Sequence, residues 1–584
     1  MALPALRNPL RPFTRYWQRL CGTVGWRFVV LLFSAYGGVK GVVNILTYSS
    51  FLPYMRYAVG VTDPAQYQAF FTVSRLPWAL KPLIGGLSDT LPVGGYHKRP
   101  YLLGSVVAGT AAAIALAAAP LRGAGGGGAI AAALLFVLTL ETATVDLLVE
   151  GAYTRRMVAA PDTGGDIVSA VWAFVMVGAL GASGLVGIVA RGDAALFWWV
   201  ATPFAAQVVV PIAAGWVGEE RAVRGPRGGA IVAAHREVFG VGGLVAAGAV
   251  GLAAASLWGS PAVQAAVSVS TSAVLCGVSL WLLPPLMAKA QVYMFLTSAM
   301  NLQLRGALDV FYTGSAECVP GGPAFDPRFF LAWTAMIGSV AGLAGIALFQ
   351  IFLSRTWIRR AFWTTTVLQV AAAGVDIAMV LRWNRRLGIS DRLFYILGNS
   401  MLQEVVFLLD WMPSVVLISK LCPPGVEATV YALLSGFANY GHAVASSLGA
   451  LAINVAGIAT PPRGRCDFTN LPLLLTVGHV VLPLLTIPLT WVLIPHARMT
   501  DDLLRPLPTG RAKGRRGGSD DAAGAEADDE ERGSGGEDWT GSSEDGGAVG
   551  AGGGGVPAAP PPVAAPDGPA WAATPAATTG GALS

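Results

Sequence analysis

Charge is what this sequence has least of. Asp, Glu, Lys and Arg together supply 12% of its 584 residues, roughly half of the ~25% usual in soluble domains. The missing charge reads as missing contact with water. Cysteine and histidine are scarce too, at five each. No CxxC pair occurs, and His97, His235, His442, His479 and His496 are scattered along the chain. That pattern speaks against a zinc cluster, a disulfide scaffold and a histidine-based triad. No metal and no cofactor is expected. A GxxxxGK[ST] phosphate loop is also missing, so nucleotide hydrolysis by that route is excluded, and an enzyme is disfavoured. The net charge of +5 mixes a basic front with an acidic tail and gives no reason to expect nucleic acid.

Hydrophobic residues, in contrast, make up 54% of the chain. Apolar runs of about 20 residues recur from near Phe28 to near Ile494, each long enough to cross a hydrocarbon core about 30 Å thick. Backbone amides in lipid must be satisfied internally, so such runs are helices; the alternation of an outer-membrane barrel is absent. The fold class is an all-α polytopic membrane protein of about 12–14 spanning helices, in two six-helix halves. The expected organisation is a basic arm (1–27), a first six-helix bundle (28–217), a basic loop (218–237), an extra transmembrane hairpin (238–286), a second six-helix bundle (287–498) and a disordered acidic tail (499–584). The arm carries Arg7, Arg11, Arg15, Arg19 and Arg27 and reads as a cytoplasmic lead rather than a cleavable signal peptide.

Lys and Arg in short loops orient the chain. The arm, His97 to Arg99, Arg155-Arg156, Arg221 to Arg236 and Arg355 to Arg360 fall on one side, taken as cytoplasmic together with both termini. One loop disagrees: Arg382, Arg385, Arg386 and Arg392 fall outside. The tail begins with a basic stub (Arg511, Lys513, Arg515, Arg516) and holds Ser534, Ser542 and Ser543 among acidic residues. It reads as a solubilising segment or as a regulatory one open to phosphorylation.

The most informative string is LPWALKPLIGGLSDTLPVGGYHKRPY, Leu76 to Tyr101. Gly85 and Asp89 form a GxxxD at a helix end, followed by a turn and by Lys98 and Arg99. A small residue lets helices approach, and a carboxylate beside cations makes a latch closed in one conformation and open in another. Arg155 and Arg156 are further latch residues. The layout resembles the loop between helices two and three of the major facilitator superfamily. The wider set Trp78, Lys81, Pro82, Gly85, Ser88, Asp89, Gly95, Tyr96, Lys98, Arg99, Pro100 and Tyr101 is more specific. With VDLLVEGAYTRR (Val145 to Arg156), DVFYTG (Asp309 to Gly314) and MPSVVLISKLCPPGVEATVYALLSG (Met412 to Gly436), it resembles the folate–biopterin transporter family over roughly residues 28–495. The resemblance implies proton-linked or exchange transport of folates, pterins or a related metabolite, S-adenosylmethionine included.

Ionisable residues inside helices cost about 2.5–3.5 kcal/mol or more unless paired or hydrated. Lys40, Lys81 and Glu141 fall at similar depths in the first half, which allows two lysines to share a carboxylate. In the second half Arg305 and Asp309 are four residues apart on one face, and Glu404 and Asp410 lie on one helix. Lys40, Lys81 or Arg305 would attract a carboxylate of the solute. Glu141, Asp146, Asp309 or Glu404 would hold the donor edge of a pterin ring or carry a coupled proton. The rival reading makes all of them permanent ion pairs, favoured for Asp146, Glu150 and Arg155 near the cytoplasmic end and for Asp410 at an interface. Trp78, Trp172, Phe311, Tyr312, Trp333 and Phe407 are aromatic enough to stack on a flat heterocycle, with Trp78, one turn before Lys81, the first choice. Cys318 and Cys466 fall in outside loops, as a disulfide or as two free thiols. The expected partners are a folate- or pterin-class solute and the lipid bilayer, for a monomer in the plasma membrane. A transport-inactive receptor or scaffold is the rival from another class.

Overall fold

In the computed structural model, the structure describes residues 11–503 apart from 120, 122–125, 160–163, 190–193, 220, 222–226, 422–426, 462–463, 500 and 502. Of the tail expected from 499, Met499, Asp501 and Leu503 are described and Met499 is buried rather than disordered, its N–H donating to Thr356 O; the basic stub and the serines lie outside the described residues, as does Arg7. Among the described residues, an arm helix, Arg11–Val24, is followed by fourteen long helical rods and, before the seventh of them, a short helix, Arg227–Ala234. The first half holds α1 (Trp26–Val59), α2 (Pro64–Arg75, Leu76–Leu80 and Lys81–Thr90), α3 (Arg99–Ala118), α4 (Gly127–Ala159), α5 (Gly164–Val189) and α6 (Leu196–Ala213). Then come α7 (Arg236–Trp258) and α8 (Pro261–Leu282). The second half holds α9 (Pro285–Ala299 and Arg305–Thr313), α10 (Phe329–Leu353), α11 (Ile358–Val380), α12 (Asp391–Ile418), α13 (Glu427–Val455) and α14 (Leu471–Leu493). The rods alternate in direction, so the ends of α2 and the starts of α1 and α3 share one face, here the near face.

Among the described residues, eleven helices are long and apolar enough to cross a membrane. The other three rods are α2, α9 and α13. They are walled largely by protein, with α13 running beside both α2 and α9. A helix that faces other helices has no need of a lipid-compatible surface all round. The hairpin α7–α8 belongs to the eleven. Its turn is built locally: Ser260 caps α8 by accepting from the Val263 amide, and Pro261 occupies the first turn. Trp258 and Trp281 stand 80% and 81% exposed at its opposite ends, the position of interface anchors. The hairpin packs across the seam where α2 of one half meets α13 of the other.

Proline shapes α2 and its neighbour. Pro82 has no N–H, which frees the carbonyl of Trp78 four residues earlier. Asn439 of α13 supplies the missing donor at 3.3 Å. The bend also needs space: a Cβ on Gly436 of α13 would sit 2.5 Å from Pro82 Cδ, so glycine is required there. Pro77 lies in a 3-10 turn, Leu76–Leu80, which sets Trp78 off the regular helix just before Lys81. Pro284 and Pro285 separate α8 from α9, whereas Pro413 lies inside helix Gln403–Lys420 without ending it. The break in α9 is satisfied by its neighbours: Leu302 N–H donates to Gly478 O and Gln303 N–H to Ala445 O, both at 3.3 Å.

The loop that disagrees with the charge rule is partly paired within itself. Asp391 accepts from Arg382 at 2.8 Å, Arg385 at 2.6 Å and Asn384 at 2.6 Å. Arg392 rests over the Phe329 ring, 5.5 Å from its centre. Cys318 and Cys466 are disulfide-bonded, joining the α9–α10 loop to the α13–α14 loop.

Candidate functional site

Asp146 of α4 is the centre of the first cluster. One of its oxygens meets Lys40 Nζ and the other Lys81 Nζ, each at 2.7 Å. Lys40 sits in a π-helical stretch of α1, Phe33–Val43. Such stretches widen a helix locally and recur at functional sites. Lys81 opens the last part of α2, straight after the proline-directed turn. The Tyr36 hydroxyl donates to the Asp146 backbone carbonyl at 3.3 Å. Side-chain exposure falls from 25% at Lys40 to 7% at Lys81 and 3% at Asp146. The triad therefore opens on the Lys40 side. Counted along their helices, Lys81 lies about 14 Å from the near end of α2 and Asp146 about 20 Å from the near end of α4.

Aromatic faces surround the two ammoniums. Lys81 Nζ lies 4.9 Å from the Trp78 ring centre, and Lys40 Nζ lies 5.6 Å from Trp172 and 5.7 Å from Tyr36. A ring attracts a cation through its quadrupole, and the same faces can stack on a flat heterocycle. Two cations share one acceptor here, so the triad keeps a surplus positive charge.

Glu141 does not reach the lysines. It is 0% exposed between α3 and α4, and neither carboxylate oxygen has a hydrogen-bond partner. A Cβ on Gly109 of α3 would fall 2.0 Å from Glu141 Oε2, so a glycine there makes the room. Asp146, five residues later, takes the place expected for Glu141: about 100° of helical turn per residue puts the two on different faces. Glu404 is exposed on α12 beside Gly338 of α10. Phe407 and Trp333 are each 56% exposed.

The second cluster joins the halves at the far face. Asp309 Oδ2 accepts from Arg305 Nε at 2.7 Å and from the Tyr67 hydroxyl of the first half at 2.8 Å. Arg305 also donates to Tyr48 O at 3.1 Å, and its guanidinium lies over the Tyr48 and Phe71 rings. Beside it, Gln68 accepts from Gly306 N–H at 2.8 Å, while Gln68 and Thr72 both donate to Ser446. Arg305 and Asp309 thus act as a clasp between halves in this conformation.

At the near face Asp89 lies 3.7 Å from Lys98 and accepts from Thr429 of the second half at 3.2 Å. Gly85, one turn earlier, lets α2 approach Leu147 and Ala432. Burial pushes the Lys98 ammonium below its ordinary range, against the pull of Asp89. The remaining latch residues do not join. Arg99 donates to Ala213 O, Arg156 to Ala152 O and Val217 O at 3.0 Å, and Arg155 is exposed. Arg156 also covers the Phe28 ring at 3.5 Å.

Several residues of these clusters carried no sequence signal. Glu219 accepts from the backbone amides of His97, Lys98 and Arg99 and so holds the turn in place. Tyr67, Gln68 and Ser446 are ordinary polar residues until the halves meet. Asp376, buried on α11, did carry one, being an acid inside a spanning helix. It accepts from Tyr312 at 3.3 Å and from Asn399 and Gln403. Phe311 and Tyr312 belong to an aromatic core with Phe325, Phe468 and Tyr395. Among the described residues no group of three or more His, Cys, Asp or Glu is arranged for a metal.

The fold has relatives of known structure. A peptide transporter POT in complex with sulfate superposes with a TM-score of 0.57 at 16% identity, over 82% of this chain and 96% of that one. In sequence, the chain is 26% identical to "Probable folate-biopterin transporter 2" of Arabidopsis thaliana over 483 residues, 81% of this chain and 84% of the relative. It is 27% identical to the folate-biopterin transporter of a Synechocystis strain over 487 residues, 82% of this chain and 84% of the relative. The family model described as BT1 family matches residues 40–506, a stretch that contains both charged clusters and both seams, and the chain belongs to that family.

Proposed function

We propose that the chain carries a folate- or pterin-class anion across a membrane by alternating access, coupled to a proton or to a counter-solute. One observation carries the reading: two lysines share a single aspartate inside the membrane, among three aromatic faces. Burying unbalanced charge is costly, and a site with surplus positive charge is relieved by an anion. The rings of Trp78, Trp172 and Tyr36 suit a flat, conjugated body attached to that anion. The names of the curated relatives point to the same solute class. The clasp of Arg305, Asp309 and Tyr67 holds the far ends of the halves together and the bond from Thr429 to Asp89 joins their near ends, so rocking of the halves would break one while keeping the other. The test is uptake of radiolabelled folate, biopterin and S-adenosylmethionine by transport-deficient cells expressing the full chain. Accumulation of folate, whose carboxylates would meet the lysines, is expected. Accumulation of biopterin or S-adenosylmethionine without folate, neither being an anion, or of none of the three, overturns the reading.

The near face is assigned to the cytoplasm and the membrane to the cell surface. Basic residues gather at the near face, and a disulfide at the far face fits an oxidising compartment. After mild reduction of intact cells, a membrane-impermeant maleimide is expected to label Cys318 and Cys466. Labelling that needs permeabilised cells reverses the assignment.

A further inference from the structure

A fourth charged group stands one helical turn from the triad. Glu150 follows Asp146 by four residues on α4, so both project from one face. It lies within electrostatic reach of Asp146, Lys81 and Lys40, and its Oε1 accepts from the Tyr153 hydroxyl at 3.2 Å. Asp146 is committed to both lysines, whereas no cation lies within ion-pair distance of Glu150 among the described residues. The facing titratable groups are Asp146 and Tyr153 of α4, Lys40 and Tyr36 of α1, Lys81 of α2 and, through Tyr153, Tyr431 of α13. Glu141 packs against Gly109 of α3 instead, and its charge does not enter this set.

Charge balance gives Glu150 a role. With Glu150 ionised, two lysines face two carboxylates and the cluster is neutral. With Glu150 protonated, the cluster carries one surplus positive charge. A single solute carboxylate entering the neutral cluster leaves an uncompensated negative charge in a low-dielectric interior, while one entering the protonated cluster leaves none.

We propose that Glu150 takes up the proton that accompanies an anionic solute, acting through the charge balance of Lys40, Lys81 and Asp146 rather than by touching the solute. The inference rests on the anion-binding reading of the triad. The step is balanced: the Glu150 carboxylate gains H⁺ from water as the anion enters, and returns it to water on the other side as the anion leaves. No other bond forms or breaks.

Folate binding to the purified full chain, measured between about pH 5.5 and about pH 8, tests it. Above the Glu150 titration, wild-type affinity is expected to fall about tenfold per pH unit, one proton being taken up per anion. Glu150→Gln mimics the protonated acid, so it is expected to bind at high pH as tightly as the wild type does at low pH, with no slope. A misfolded variant cannot produce that gain. Glu141→Gln is expected to keep the wild-type slope. A slope retained in Glu150→Gln, or lost in Glu141→Gln, overturns the proposal. If no form of the protein binds folate, the solute reading fails by itself, and solute-free proteoliposomes decide this one. The transient current after a pH jump must then shrink in Glu150→Gln, and an undiminished current overturns the role of Glu150.

Discussion

Asp146→Asn is expected to destabilise the protein by about 3–5 kcal/mol and to abolish uptake. The carboxylate is the shared acceptor of Lys40 and Lys81, each at 2.7 Å. Removing its charge leaves two ammoniums close together inside the membrane with no carboxylate in ion-pair contact, only Glu150 one helical turn away. Lys40→Gln makes the opposite test of the same geometry. It leaves a one-to-one pair between Lys81 and Asp146, and it removes the cation that is more exposed, so a stability change of about 1 kcal/mol or less is expected. The same substitution deletes the surplus positive charge, so uptake of an anion should fall steeply although the fold is kept. Thermal unfolding of both variants in detergent, beside uptake in cells, separates the two effects. If Lys40→Gln unfolds as readily as Asp146→Asn, the aspartate is not the balancing group and the account of the triad fails.

The clasp at the far face makes the second strong expectation. Asp309→Asn removes the charge partner of Arg305 and weakens the bond to Tyr67, which links one half to the other. The loss amounts to about 3 kcal/mol, enough to move an equilibrium between conformations about a hundredfold, at 1.4 kcal/mol per factor of ten. Tyr67→Phe deletes a single hydrogen bond, worth about 1 kcal/mol, for a shift of roughly fivefold. A thiol at Ser446→Cys, which is buried at this seam, reports the opening through its maleimide labelling rate once Cys21, Cys276 and Cys422 are serines. The rate should rise in the order wild type, Tyr67→Phe, Asp309→Asn. Equal rates in all three would mean that this cluster stitches helices without controlling access.

The sequence and the structure agree most where the physics is local. The spanning runs are visible because lipid demands about 20 apolar residues wherever a helix touches it. The hairpin Arg236–Trp258 and Pro261–Leu282 follows the same rule. Lys81 stands out because a cation within such a run needs a reason, and Cys318 and Cys466 because cysteine is otherwise so rare. Agreement ends where a partner lies far along the chain. Depth along a helix can be counted from sequence, but the direction in which a side chain points cannot, since it depends on which neighbour each face meets. Glu141 and Asp146 differ by five residues on one helix, yet one is sealed against Gly109 and the other balances two lysines.

The amino-acid sequence by itself determined the solvent this protein lives in, the number of its helices to within one pair, the bend at Pro82 and the family it resembles. Those properties follow from composition, period and covalent geometry within a few tens of residues. Tertiary structure alone decided that Asp146 joins Lys40 to Lys81, that Asp309 reaches Tyr67 in the opposite half, and that Asn439 answers the carbonyl freed by Pro82. Each of these contacts joins residues from 65 to 361 positions apart. At such separations the pairing is chosen by how fourteen rods pack together, and no local pattern records it.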